Sequence, residues 1–189
     1  MYWHKRPLEK EYNPKKRLGL VHVYTGEGKG KTTAALGVAL RSAGHRMHVL
    51  IIQFIKGHKD YGELLAVEKL MPFVEIVQFG IPQKTNLKDP SAMDLYLVGQ
   101  GMEYAKKAML NNRPDVLILD EVNTALHHNL LPLQEVLDFL DHKHQQTEVI
   151  LTGRSAPAAI LNAADIVTVM TTTKSPYNDD FVPRKGIEH

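Results

Sequence analysis

The run Thr25-Gly26-Glu27-Gly28-Lys29-Gly30-Lys31-Thr32-Thr33 constrains this chain more than any other part of it. It follows an apolar stretch, Leu18 to Tyr24, and precedes a helical pattern. That strand–loop–helix setting is the one in which closely spaced glycines form a phosphate-binding loop. Glycines let successive backbone N–H groups converge on an anion, and the following helix adds its positive end. Lys31 then reaches distal phosphates, and the Thr32 hydroxyl is placed to hold a Mg²⁺ ion that bridges them. The common form of the motif has a first glycine where Thr25 stands. Gly26 and Gly28 lie inside the loop, with Lys29 as a second cation and Thr33 beside Thr32.

Such a loop presupposes a parallel sheet, and the rest of the chain supplies one. Its 189 residues suffice for one domain with a proper core. After a basic arm over residues 1–17, the domain over 18–189 alternates apolar runs with helical patterns. Strands are expected at Leu18–Tyr24, Val49–Phe54, Phe73–Val77, Val116–Asp120, Val149–Thr152 and Ile166–Met170. Near-continuous apolar runs of this kind fit strands covered on both faces. Helices are expected at Thr32–Ala43 with Gly44 as the C′ residue, and at Tyr61–Leu70, Pro90–Leu110, Leu133–Leu140 and Pro157–Ala163. In the long one, Leu95, Val98, Met102, Ala105 and Met109 form a core stripe, and Gly99 and Gly101 weaken it locally. The expected fold is a single-domain α/β, RecA-like P-loop architecture: a mostly parallel sheet with helices on both faces. Ligands then bind at the carboxyl ends of the strands.

A second constellation, Val116-Leu-Ile-Leu-Asp120-Glu121, ends an apolar strand in two carboxylates. One is expected to serve a metal beside the loop, and the other to pack or orient. In a nucleotide hydrolase the second acid would polarise water. Thr152-Gly153-Arg154 closes the next strand, and the Arg154 fork suits a phosphate or another anionic group. Arg184-Lys185-Gly186-Ile187-Glu188 alone reads as a frayed terminus. His22 reads as a hydrogen-bonded core residue, His127 and His128 as a polar turn, and His142 and His144 as an exposed loop. No histidine pair has metal-site spacing.

Composition narrows the classes further. The chain has no cysteine, which excludes thiolate metal sites, disulfides and thiol catalysis. A net charge of +2 argues no nucleic-acid partner, and no apolar run reaches the roughly 18–20 residues of a membrane span. Both fit a cytoplasmic enzyme. Lys5, Arg6, Lys10, Lys15, Lys16 and Arg17 crowd the arm against Glu9 and Glu11. It reads as a solvated, disordered segment, or as one that orders over an anionic ligand or a neighbouring subunit.

Together these blocks resemble the P-loop class of ATP:corrinoid adenosyltransferases, from about Leu18 to Glu188. The resemblance rests on residues 25–33, Gln53-Phe54-Ile55-Lys56-Gly57 with Gly62-Glu63, and Leu119-Asp120-Glu121-Val122-Asn123. Leu131-Pro132-Leu133, Ile150-Leu-Thr-Gly-Arg154, Ala164-Asp165 and Lys185-Gly186-Ile187-Glu188 complete it. It implies a homodimer that transfers the 5′-deoxyadenosyl group of ATP to the Co(I) of a reduced corrinoid and releases triphosphate. A separate corrinoid reductase or flavoprotein would supply Co(I). ATP would bind reversed, with the loop gripping the distal end of the triphosphate. Lys31 and Glu121 would be the catalytic residues. Thr25, Gly26, Gly28, Lys29, Gly30, Lys31, Thr32, Thr33 and Arg154 would bind nucleotide, with Thr32 and Glu121 on Mg²⁺ or Mn²⁺. Three departures stand out, one being an N-terminal arm shorter than the helix that caps the corrinoid in some members. The family's aromatic pair after the third strand is replaced by Gly80-Ile81-Pro82-Gln83, and its His-Pro near the tail by Ser175-Pro176. An NTPase or kinase releasing ADP, or a nucleotide-gated binding module, is the alternative on the same loop.

Overall fold

A computed structural model describes residues 18–83, 85–175, 182 and 184–188. The arm over 1–17, with Trp3 and Tyr12, lies outside the described residues, as does Pro176. Six strands form one sheet: β1 (Val21–Thr25), β2 (Val49–Phe54), β3 (Val74–Phe79), β4 (Val116–Asp120), β5 (Glu148–Thr152) and β6 (Ile166–Val169). Their order is β3-β2-β4-β5-β1-β6, and all of the pairings are parallel. The helices are α1 (Lys31–Gly44), α2 (Gly62–Val67), α3 (Ala92–Asn111), α4 (Val122–His127), α5 (Leu133–His142) and α6 (Ala158–Ala163).

The period of two along each strand divides the core into two layers. Leu50, Ile52, Phe54, Leu117, Leu119, Val149 and Leu151 face α3, α4, α5 and α6, where Met102, Val122, Val136 and Ile160 complete one cluster. Val49, Ile51, Val116, Ile118 and Ile150 face the other way and pack with Ala35 and Ala39 of α1. Extending this second stripe one step toward the carboxyl ends gives Gln53, Asp120 and Thr152, all fully buried or nearly so. Polar side chains thus replace apolar ones at the last position before the α1 N-terminus.

Several boundaries differ from expectation for identifiable reasons. Gly44 is helical rather than a left-handed C′ residue. The helix closes through His45 and Arg46, whose N–H groups donate to Ser42 O and Ala43 O, and Arg46 takes the positive φ of 59°. In α3 the first turn is set by a capping box between Ser91 and Asp94. Buried Asp94 also accepts from Thr85, so Leu95 points outward at 43% exposure instead of joining the core stripe. Gly101 is a packing position, because a Cβ there would meet the Phe54 ring at 2.9 Å. Helix α4, absent from the sequence expectation, follows Glu121 directly and places His127 at its end. Helix α2 is shorter than expected, and β6 is an exposed edge strand.

Candidate active site

Helix α1 begins without a side-chain cap and with no acidic residue in its first turn. The first N–H groups of a helix have no intrahelical acceptor, and here no side chain caps them, so they are available to an anion held in the loop. Gly30 at φ 117° makes the turn into the helix. Gly26 (φ 96°) and Gly28 lie against the end of β6, where a Cβ would meet the Met170 backbone at 2.4 and 2.7 Å. Glycine is required at both because backbone presses on backbone. Gly28 N–H donates to Met170 O at 2.8 Å. Lys31 Nζ folds over the loop and donates to Gly26 O and Gly28 O, both at 2.7 Å. Burial pushes the Lys31 pKa down, partly opposed by Glu121.

The carboxyl end of β4 supplies the acids. Asp120 Oδ1 accepts from Thr32 Oγ1 (2.8 Å) and Thr152 Oγ1 (2.7 Å). Its Oδ2 accepts from Lys56 Nζ (2.7 Å) and Gln53 Nε2 (3.2 Å). Burial would raise the Asp120 pKa, but the Lys56 ammonium and the hydroxyl donors outweigh it and hold the carboxylate ionised. Four donors fill its acceptor positions, so Asp120 orients Thr32 rather than offering a free oxygen to a cation. Glu121 leaves the strand in a left-handed conformation, φ 65°. Its N–H donates to Thr152 Oγ1, and its Oε2 accepts from Thr124 Oγ1. The expected division between the two acids thus resolves by strand period. Asp120 continues the α1-facing stripe, and Glu121 turns out into the cavity.

That cavity, of roughly 1010 Å³, lies over the loop and is lined by residues 27–33, Lys56, Glu63, Glu121 and Arg154, and by the tail at 185–188. Gly28, Lys29, Gly30, Lys31, Thr32 and Thr33 therefore share it with Glu121 and Arg154. Thr25 and Gly26 do not line it. Thr25 is buried, and its Oγ1 accepts from Ala156 N–H at 3.1 Å, so it fastens the β5–α6 loop to the phosphate loop. Arg154 pairs with Glu27 at 3.2 Å on the exposed rim. The tail does not stand as a frayed end. Glu188 bridges Lys29 (2.8 Å) and Arg184 (3.0 Å), which draws residues 184–188 over the loop.

The donor set suits a hard divalent cation. Thr32 Oγ1 spends its proton on Asp120 and accepts only a long contact from Lys56 Nζ (3.4 Å), so a lone pair is left for a cation, and Glu121 brings a carboxylate into the same cavity. Among the described residues no cluster of three or more His, Cys, Asp or Glu forms a complete cage. A cation here would take its remaining ligands from phosphate oxygens and water, the usual habit of Mg²⁺.

Lys56, Gln53 and Thr152 are absent from the expected site, and all three belong to it. Lys56 follows Ile55, a β-branched residue held at φ 54°. Strain of this kind collects at functional sites. Gly57 and Gly80 allow their loops to touch, since a Cβ on Gly57 would meet Gly80 O at 2.3 Å. The signal for Gln53 was legible: a polar residue near the end of a wholly buried strand.

Comparison with known proteins bears on this geometry. The flagellar accessory protein FlaH of Methanocaldococcus jannaschii superposes with a TM-score of 0.50 at 14% identity, over 80% of this chain and 70% of that one. A KaiC-like protein of Pyrococcus horikoshii gives 0.50 at 17%, over 79% and 69%. These likenesses show the RecA-like fold. A corrinoid adenosyltransferase of Sinorhizobium sp is 35% identical over 176 residues, covering 90% of this chain and 80% of that protein. Another from Escherichia coli is 32% identical over 171 residues, covering 90% and 86%. The family model for ATP:corrinoid adenosyltransferase BtuR/CobO/CobP matches residues 17–189, a span that takes in the loop, the acidic strand end and the tail folded over them. The chain belongs to the ATP:corrinoid adenosyltransferase family.

Proposed function

We propose that this protein transfers the 5′-deoxyadenosyl group of ATP to the Co(I) centre of a reduced corrinoid. Co(I) attacks the ribose C5′, the C5′–O bond breaks, and inorganic triphosphate leaves with the bonding electrons. The observation that carries this reading is a phosphate loop and an acidic strand end around one cavity, in a chain that matches this family from residue 17 to 189. Because the nucleophile is the metal centre of the substrate, no protein base is required. The protein's tasks are to position two substrates and to neutralise the leaving group.

Lys29, Lys31, the open N–H groups of α1 and Arg154 take the triphosphate. Thr32 and Glu121 would hold Mg²⁺ or Mn²⁺, which supplies charge neutralisation on the phosphate oxygens. Asp120 takes the Thr32 hydroxyl proton, which leaves an oxygen lone pair for that cation. The reading includes a homodimer in the cytoplasm, as the family resemblance implies. A separate corrinoid reductase or flavoprotein would supply Co(I), as that resemblance also implies. No helix among the described residues is long and apolar enough to cross a membrane.

The test is anaerobic incubation of the protein with ATP, Mg²⁺ and chemically reduced corrinoid. The expected result is a light-sensitive Co–C product spectrum with one triphosphate released per corrinoid. Release of ADP and phosphate independent of corrinoid would identify an NTPase instead.

A further inference from the structure

Lys56 lies at the centre of the proposed metal site without a part in the reaction described above. Its Nζ is 2.7 Å from Asp120 Oδ2 and 3.4 Å from Thr32 Oγ1. The ammonium therefore touches both the hydroxyl assigned to the cation and the carboxylate that orients it. Its backbone is held by the left-handed turn at Ile55 and by the close contact of Gly57 with Gly80. The side chain is only 19% exposed, so the ammonium is not a solvated surface charge that can move off at little cost.

Three other cations of the cavity are also engaged within the protein. Lys29 is paired with Glu188, Arg154 with Glu27, and Lys31 rests on loop carbonyls. Asp120 and Glu121 would together attract a divalent cation, but Lys56 cancels one of these charges and fills an acceptor position on Asp120. A free Mg²⁺ approaching Thr32 meets an ammonium beside its ligand. The same ion carried on a triphosphate brings anionic oxygens that attract that ammonium.

We propose that Lys56 is a positioning residue that excludes free divalent metal from the Thr32–Glu121 site and admits it only as the metal–nucleotide complex. Two charge states of the cavity then alternate. Without nucleotide, the ammonium serves Asp120 as the resident cation. With the complex bound, the metal neutralises the acids and Lys56 faces phosphate oxygen as well as carboxylate. This rests on the assignment of the metal to Thr32 and Glu121.

The test is Mn²⁺ binding to the full chain, followed by the electron paramagnetic resonance of free Mn²⁺, with and without ATP. Wild-type protein is expected to bind Mn²⁺ weakly alone and tightly with ATP. Lys56→Met is expected to bind Mn²⁺ alone at least about tenfold more tightly, because two acids are left without the ammonium. The double variant Lys56→Met with Asp120→Asn removes both charges of the buried pair, so it keeps the fold if the single variant loses it. Its Mn²⁺ affinity is expected to exceed that of Asp120→Asn alone, since the ammonium no longer opposes the ion. Lys56→Arg, which retains the charge, should bind like wild type.

Unchanged Mn²⁺ affinity in folded Lys56→Met and in the double variant overturns the proposal. So does a loss of metal-free ATP binding in Lys56→Met with no change toward Mn²⁺ alone, which would make Lys56 a simple phosphate contact. Failure of the wild type to bind Mn²⁺ even with ATP would instead overturn the metal assignment beneath it.

Discussion

Lys31 and Glu121 face the same cavity with opposite tasks, and their substitutions separate grip from metal. The Lys31 ammonium already sits on two loop carbonyls at 2.7 Å, so the positive charge is placed before a nucleotide arrives. Lys31→Ala is expected to lower turnover by more than about tenfold with the fold retained, as removal of one preorganised charge contact does elsewhere. Circular dichroism and steady-state rates check it, and near-normal turnover would remove the loop from the phosphate site. Glu121→Gln is expected to weaken metal-dependent activity, with partial recovery at raised Mg²⁺ or with Mn²⁺. Rates against metal concentration decide this. Normal metal dependence with loss of a solvent-proton step would make Glu121 a base. The loop residues and both acids were legible in the sequence because glycine spacing and a strand-end carboxylate are local signals. Lys56 stands out in the sequence only as part of the family run Gln53–Gly57. Its role depends on β2 and β4 being neighbours, a pairing that no local pattern contains. Thr25 shows a related limit: its motif position is legible in the sequence, but the hydrogen bond that its hydroxyl accepts from Ala156 N–H is not.

The elements differ in how far they can be read. Strands β2 and β4 appear at the expected limits because each opens on a run of four apolar residues and is buried on both faces. Helix α4 could not be read: it is one short run of six residues, begins from a positive-φ glutamate, and has no side-chain cap. The segment after β3 has consequences for the substrate. It contains Gly80, Ile81, Pro82 and Gln83, with no aromatic ring to crowd a corrinoid's lower face, and Gly80 is committed to contact with the Lys56 backbone. Ile81 and Pro82 offer less apolar area than two aromatic rings. Less of the cost of breaking an axial bond can then be offset. The protein is expected to prefer corrinoids whose lower base is absent or weakly held, such as cobinamide, over intact cobalamin. The ratio of kcat/KM for the two substrates measures this. Equal values or a cobalamin preference would mean that the wedge comes from elsewhere in the molecule.

Across the whole molecule the two ends of the sheet do different work. The carboxyl ends of the strands carry the cavity, with positive φ at Ile55, Glu121 and Ser155 just beyond β2, β4 and β5. The amino ends carry carboxylates that fasten backbone donors: Asp115 to His48 N–H, Asp165 to Val21 N–H, and Glu148 to Gly19 and Leu20 N–H. Glu148 also meets His22 Nε2 at 2.6 Å, joining β5 to β1 itself. Burial alone would raise the Glu148 pKa, but His22 and the two N–H donors outweigh it and bring it below the ordinary range. A depressed folded pKa makes the ionised carboxylate stabilising above the unfolded pKa of about 4.3, and that stability is lost as pH falls through the lower folded value. Glu148→Gln keeps an acceptor for the N–H groups but loses the charge. It is expected to cost about 1–2 kcal/mol at pH 7, the difference between charge-assisted and neutral hydrogen bonds, and to lower Tm by roughly 2–8 °C. The gap to wild type should shrink from about pH 5 downward as the wild-type carboxylate takes up its proton. Denaturant midpoints at pH 7, 5 and 4 measure it. Because Glu148 lies at the end of the sheet away from the phosphate loop, kcat/KM at a temperature where both proteins are folded should be unchanged. A pH-independent gap would mean that the charge is not what holds β1 to β5. A fall in kcat/KM with stability intact would mean that the two ends of the sheet are coupled.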